Sequence, residues 1–336
     1  MTITAKIIAA SAHPHGGPPL YTLQLRYPKF IHGEGKTHRL IRIADRAYEL
    51  LQEVGFMDDP DLSRNASSSR AIPVERMIQD VMDDPVIPMH WGKNQPGMQA
   101  REEHNAPVMM PMPDIDDQTH MCCDRLHAWL RARDQMIGAA RAFAKAGYAK
   151  QFVNRLLEPW LHINVVVTAT EWSNFFALRC HPDAQPEMRA LAESVREAIA
   201  LATPRVLQPG EWHLPYVSAE DEHRIDEFAA GEEVADVYSH VSVDERLIKL
   251  SVARCARVSY LTQDGKVPAI EQDLALYDRL VASVPLHASP CEHQATPDTQ
   301  EWVDAACTRT TWEYPQLHGN LRGWRQFRKT LPGECQ

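Results

Sequence analysis

Hydrophobic and polar positions first alternate over LYTLQLRYP, where Tyr21, Leu23, Leu25 and Tyr27 share one face and polar residues take the other. That period of two predicts a half-buried strand. After FIHGEGKTHR the period lengthens. Ile43, Ala47, Leu50, Leu51 and Val54 recur at helical spacing over residues 40–56, Gly55 suits a C-cap, and MDDPDL turns the chain. Pro73 opens a short helix over VERMIQDVM, because proline fits a first helical turn. Residues 83–118 form a loop rich in Pro, Met and Asp, whose centre HWGKNQPGMQA is too aromatic and amide-rich for a plain linker. Leu126, Trp129, Leu130 and Ile137 line the apolar side of the longest helix, residues 124–146, which stops at Gly147. The pair Cys122 and Cys123 falls at its start.

QFVNRLLEPW reads as a short helix ended by Pro159, and INVVVTA as a buried strand rich in β-branched residues. SNFFALRCHPDAQPEMRALAESVREAIAL supplies two helices, the second turning Met188, Leu191, Val195 and Ile199 inward. Beyond the PGEWHLPYV loop, LIKLSVARCARVSYL is strand-like, DLALYDRLVASV is helical, and the tail is irregular until NLRGWRQFRKTL. This order of elements predicts a mixed α/β chain of the α+β class and does not favour a doubly wound sheet. No internal repeat interrupts it, and the chain's length allows one large domain or two ordinary ones.

A chain of 336 residues with 44% hydrophobic positions can bury a sizeable core. No apolar run is long enough to span a bilayer and the N-terminus lacks a signal-peptide pattern, so a cytoplasmic protein without membrane contact is expected. Seven cysteines in no regular spacing fit reduced thiols. A net charge of −10 argues against binding a nucleic acid polymer, so an anionic ligand must be met by local arginines. His120, Cys122, Cys123, His127, Cys291 and His293 lack the paired spacing of a metal site, and no metal is predicted. Dinucleotide, phosphate-loop and nucleophile-elbow motifs are missing too. What remains is a set of arginines in polar or aromatic contexts (Arg39, Arg70, Arg155, Arg179) and the run LSRNASSSRAIP, with an arginine on each side of its serines. Such a run suits a solvated loop, or a phosphate site in which a guanidinium fork and short hydroxyls surround an anion.

SRNASSSR matches the second half of the signature RHRxxSxNExSxR of the flavin-dependent thymidylate synthases, with Ser63, Asn65, Ser68 and Arg70 in register; THR at residues 37–39 resembles the first half. Residues 40–62 occupy a place where that family has two positions, as an inserted helix and turn. NRLLEP resembles the family's Arg-xxx-Pro segment and TATEWSNFFALRCHPDAQPEMRALA its NFxxLRxxxxAQxEIR segment, placing Arg155, Asn174, Arg179, Gln185 and Glu187. CARVSYL and ASPCEH, which open the family's sequences, here come last, so residues 250–336 resemble the family's N-terminal part in a circular permutation.

The resemblance implies a single domain over residues 1–336 with the family's fold, a central sheet flanked by long helices, and C5 methylation of a deoxypyrimidine monophosphate. The first expectation is dUMP to dTMP, with FAD as cofactor, 5,10-methylenetetrahydrofolate as carbon donor and NADPH as reductant. It implies nucleotide contacts from Ser67, Ser68, Ser69, Arg70, Arg155 and Arg179, and FAD contacts from His38, Arg39, Asn174, Ser259 and His293. Catalytic roles fall to Arg179, Ser68 and Glu34. A homotetramer is expected, since the family builds each flavin site from several subunits. The chain departs from the pattern at Thr37 and Ala66, where the signature has Arg and Glu, at Glu34 for a glutamine, and at Asp183 for a histidine. These changes keep open a dCMP or dUMP methylase or hydroxymethylase, and a silent nucleotide or flavin binder.

Overall fold

Backbone pairing across β1 (Thr4–Ala12), β2 (Leu20–Pro28), β3 (Leu40–Ile41), β4 (Glu53–Val54), β5 (Leu62–Ala66), β6 (Val108–Pro111), β7 (His120–Cys123), β8 (His162–Ala169) and β9 (Arg205–Val206) sets the frame. The main sheet has five strands in the order β5-β8-β2-β1-β9. The structure, a computed structural model, describes residues 3–32, 40–41, 53–54, 62–66, 72–96, 100–111, 120–230, 242–258, 269–281, 286–302 and 310–334. Its helices are α1 (Val74–Asp83), α2 (Arg125–Lys145), α3 (Lys150–Val153), α4 (Ser173–Arg179), α5 (Pro186–Leu201), α6 (Ala219–Ala230), α7 (Val243–Arg257) and α8 (Ile270–Val281). The class is α+β, with none of the described helices long and apolar enough to cross a membrane.

The alternation of β2 decides how the sheet is used. Pairing Leu23 with Val167, and Leu25 with Val165, puts the apolar side chains of both strands on one face. There Leu23, Leu25, Tyr27, Ile163, Val165 and Val167 pack against Met188, Leu191, Ala192 and Val195 of α5. Gln185 caps that helix by accepting from Met188 N at 2.8 Å. The other face is polar in sequence yet partly covered. The strand forms as its pattern predicts, with Gln24 and Arg26 partly exposed, but Thr22 and Thr168, a registered pair, are both fully buried, so the polar face is covered at that end. The chain after residue 207 supplies the cover: His213 bonds Ser11 and Thr22, and His293 bonds Thr168.

A second cluster joins Met77, Ile78 and Val81 of α1, Ile137 and Ala140 of α2, and Val153, Leu157 and Trp160. Asp124 opens α2 by accepting from the Leu126 and His127 amides, and Gly147 follows its last turn at φ +84°, a conformation that favours glycine.

Three sequence expectations are corrected. Residues 40–56 do not form a continuous helix: Leu40 pairs with Val54 and Ile41 with Glu53 in an antiparallel two-stranded sheet, a closure that helical spacing does not anticipate. Cys122 and Cys123 end strand β7, paired with Met109 and Val108, and the helix begins only after the Asp124 cap. LIKLSVARCARV is the helix α7, capped by Ser242. Its residues Leu247, Ile248, Leu250, Ser251, Val252, Ala253, Arg254, Cys255 and Ala256 are all buried, so no polar face marked its helical period. The strand of INVVVTA, the helices of SNFFALR and PEMRALAESVREAIAL, and the helix of DLALYDRLV form as the pattern predicts.

Candidate active site

The polar face of the sheet carries the chemistry. Along β2 the residues Gln24 and Arg26 follow Thr22, and opposite them on β8 stand Val166 and Asn164. Toward the end of this stripe lies a cavity of about 310 Å³, lined by Gln24, Arg26, Asn164 and His162, by Arg76, Asp80, Asp83 and Asp84 at α1, and by Ile72 and Val258. Arg26 Nη2 donates to Asp84 Oδ2 at 2.7 Å and reaches His162 Nδ1 at 3.0 Å. Burial, reinforced by the Arg26 guanidinium, lowers the His162 pKa to about 4, so the ring is neutral at physiological pH.

Lys29, just beyond β2, lines this cavity and also a larger one of about 800 Å³. Its ammonium pairs with Glu158 Oε1 at 2.7 Å. The rest of the larger cavity comes from Phe30 and His32, from Pro88, His90, Gly92 and Ala100, from Trp129 of α2, and from Gln185, Pro186 and Glu187 at the start of α5. Glu187 is buried; its Oε1 accepts from Met89 N at 2.7 Å and its Oε2 from Gln185 Nε2, which ties the 86–92 segment to the helix N-terminus. Trp129 Nε1 donates to Val86 O at 2.8 Å and His90 Nε2 bonds Ala100 O at 2.9 Å, so this wall is a packed loop rather than a linker. A volume of this order suits a planar cofactor or co-substrate.

The residues expected from sequence fall in distinct places. Arg155 is exposed, in the 3-10 segment Asn154–Trp160, and Arg179 is half-buried as the last residue of α4. Neither lines either cavity. Asn174, in the first turn of α4, buries its Nδ2 without a partner. His293 is fully buried, with Nδ1 at 2.8 Å from Thr168 Oγ1 and Nε2 without a partner. Burial lowers its pKa to about 3. Asp183 is exposed, with Arg101 Nη2 at 3.9 Å. Glu34, His38, Arg39, Ser67, Ser68, Ser69, Arg70 and Ser259 lie outside the described residues.

Flanking positions nevertheless converge. His32, before residues 33–39, lines the larger cavity; Ile72, after residues 67–71, and Val258, before residues 259–268, line the smaller one. Strand β5, which contains the SRNA of the signature, pairs with β8 so that Ser63 stands opposite Thr168 and Ala66 opposite Val165. It also packs on the turn Ser289–Glu292 of ASPCEH. Gln24, Arg26, Lys29 and His162 are site residues that motif matching passes over. For Gln24 and Arg26 the signal was the polar half of the LYTLQLRYP alternation, which a solvated face explains equally well, and Lys29 and His162 lie outside that stretch.

No curated protein matches the chain. Residues 86–205, which supply the lining of the larger cavity apart from Lys29, Phe30 and His32, match the family model of the thymidylate synthase complementing protein.

Proposed function

We propose that the chain is a flavin-dependent thymidylate synthase-type transferase that methylates C5 of a deoxypyrimidine monophosphate, with dUMP as substrate and dTMP as product. The family matched by residues 86–205 is an enzyme family, which supports the reaction class. The observation that carries the reading for this chain is the meeting at β8. Ser63 of the signature strand stands opposite Thr168, and Thr168 Oγ1 holds His293 of ASPCEH at 2.8 Å, though these residues are far apart in sequence. A circular permutation of the family's order accounts for that meeting, since permuted chains keep their contacts.

In this reading Arg70 and the hydroxyls of Ser67, Ser68 and Ser69 hold the phosphate, with Arg155 closing from an exposed position. Arg179 faces the pyrimidine and stabilises the anion that forms as C5 becomes nucleophilic. Ser68 and Glu34 complete the catalytic group.

FAD fits the donor set at one described point, the unpartnered Nδ2 of Asn174, and His38, Arg39 and Ser259 are its further proposed ligands. His293 has no exposed surface, and its role toward FAD is to hold the strand beside the site. When bound, FAD supplies the redox chemistry between NADPH and the methylene group brought by 5,10-methylenetetrahydrofolate. Because Arg155 and Arg179 line neither cavity, a homotetramer in which neighbouring subunits complete each site is part of the proposal.

Anaerobic turnover of dUMP and of dCMP with methylenetetrahydrofolate and reduced flavin, followed by mass analysis, tests the reading. A mass gain of one methyl group on dUMP supports it. A gain on dCMP alone, or a hydroxymethyl product, moves the chain to the related pyrimidine modification, and no product from either nucleotide overturns the enzyme reading.

A further inference from the structure

His162 lines the smaller cavity, its side chain is only 4% exposed, and its two ring nitrogens are in different situations. Nδ1 lies 3.0 Å from Arg26 Nη2. A guanidinium only donates, so Nδ1 must accept, and the neutral ring therefore carries its proton on Nε2. That Nε2–H is buried without an acceptor. An unanswered buried donor costs free energy, and native structures seldom retain one without a use.

The rest of the lining says what kind of acceptor belongs there. Arg26, Lys29 and Arg76 are balanced by Asp80, Asp83 and Asp84. Arg26 is tied to Asp84 at 2.7 Å and Arg76 to Asp80 at 3.2 Å, and Lys29 is paired with Glu158. Phosphate entering this cavity would meet three carboxylates and cations already paired. A neutral planar group that offers a carbonyl oxygen beside an N–H meets a donor and acceptors together.

We propose that the 310 Å³ cavity binds the lactam edge of a heterocycle, its carbonyl oxygen accepting from His162 Nε2–H and its ring N–H facing the aspartates of α1. The proposal rests on the pyrimidine-nucleotide reading above and deepens it, because Ile72 and Val258, which adjoin two of the segments assigned to nucleotide and flavin, line the same cavity. Uracil, pterin and isoalloxazine rings all carry this edge, so the test separates them.

Calorimetric titration of wild-type protein and of His162→Phe with dUMP, folate, FMN and inorganic phosphate, each alone, reads the assignment. Phenylalanine keeps the ring shape and removes the donor. The expected result is a loss of about tenfold or more in affinity for one lactam ligand, little change for the others, and recovery of most of the loss in His162→Gln, which restores an N–H. Equal affinities in wild type and His162→Phe for all the ligands overturn the proposal. So does a loss confined to phosphate, or a wild-type protein that binds no lactam ligand. Should His162→Phe fail to fold, the Nε2–H resonance of His162 in 15N-histidine-labelled wild type decides: it shifts on adding that ligand if the assignment holds, and an unmoved resonance overturns it. Ligand binding that depends on His162 in a protein with no methyl-transfer turnover would sink the thymidylate-type reading and leave this subsite standing.

Discussion

Thr168 Oγ1 lies 2.6 Å from Thr22 Oγ1 and 2.8 Å from His293 Nδ1, which makes this one hydroxyl the joint between the central sheet and the chain that covers it. The line continues from Thr22 to His213 Nε2 at 2.8 Å and from His213 Nδ1 to Ser11 at 2.7 Å. Every group in it is buried, so each hydrogen bond replaces one that water would otherwise make. Thr168→Val keeps the shape and breaks the line in the middle, stranding His293 Nδ1 and leaving Thr22 with His213. We expect a loss of about 1–3 kcal/mol, the cost of leaving buried partners unanswered. Urea denaturation measures it, and a midpoint equal to wild type would show the line to be dispensable.

Acid should weaken the same joint. Burial lowers His213 and His293 to about 3, against an ordinary value near 6.5. In the unfolded chain both rings take up a proton as pH falls through about 6.5, while the folded chain resists until near 3. The unfolded state therefore binds more protons in that window. The stabilisation is complete above the unfolded value and is lost progressively as pH falls toward the folded one. Unfolding free energies at pH 7.5, 6 and 5 should decline, and His293→Gln, which still offers Thr168 a partner but cannot titrate, should flatten the decline. An identical slope in the variant would remove His293 from the account.

How much of this was legible in the sequence depended on whether one face of each element met water. The Met188, Leu191, Val195 and Ile199 spacing of α5 stood out because its opposite face is solvated. Helix α7, buried nearly all round, offered no such contrast and read as a strand. Thr22 alternated with Gln24 and Arg26 as a solvated face would, and only the distant residues His213 and His293 show Thr22 and its partner Thr168 to be interior. The same limit applied to the site. Motif matching reached Asn174 and Arg179, whereas His162 and Lys29 acquire meaning from neighbours on α1 and near residue 158.

Arg254 of α7 should be the costliest single cation to remove. Its guanidinium donates to both oxygens of Asp221 at 2.7 Å, to Tyr216 O at 2.6 Å and to Asp273 at 3.2 Å, and both aspartates are buried. Arg254→Met fills the space but leaves Asp221 charged and unpaired, while Asp273 keeps Arg257 at 2.5 Å. A destabilisation of about 3–5 kcal/mol is expected. A second replacement, Asp221→Asn, should recover part of it by removing the stranded charge. Thermal melts of the two variants check the pair, and a double variant no better than the single one would refute the coupling.

Glu187 should set the mobility of the larger cavity's wall. Its carboxylate accepts from the Met89 amide at 2.7 Å and so ties residue 89 to α5. In Glu187→Ala the Met89 amide loses its acceptor, so its hydrogen exchange should accelerate by tenfold or more, with little change at the α2 amides. Equal exchange in variant and wild type would mean that the segment is held by Trp129 and Val86 alone.

Arg155 and Arg179 should separate in kinetics. Arg179 ends α4, half-buried, five residues after Asn174 and within the segment that resembles NFxxLR, so its charge is fixed by a short helix rather than carried on a loop. A fixed charge beside the pyrimidine gains value as negative charge develops, and its loss falls on kcat. Arg179→Ala should fold normally and lose about 10²–10³ in kcat, with a smaller change in KM. Arg179→Lys should restore only part, since an ammonium lacks the planar fork. Arg155 is exposed and assigned to the phosphate, a contact made equally in ground and transition states, so Arg155→Ala should raise KM for dUMP while kcat stays near wild type. Steady-state rates with reduced flavin and methylenetetrahydrofolate give both parameters. Turnover by Arg179→Ala within twofold of wild type would remove Arg179 from the reacting centre, and a kcat defect in Arg155→Ala would place that residue there instead.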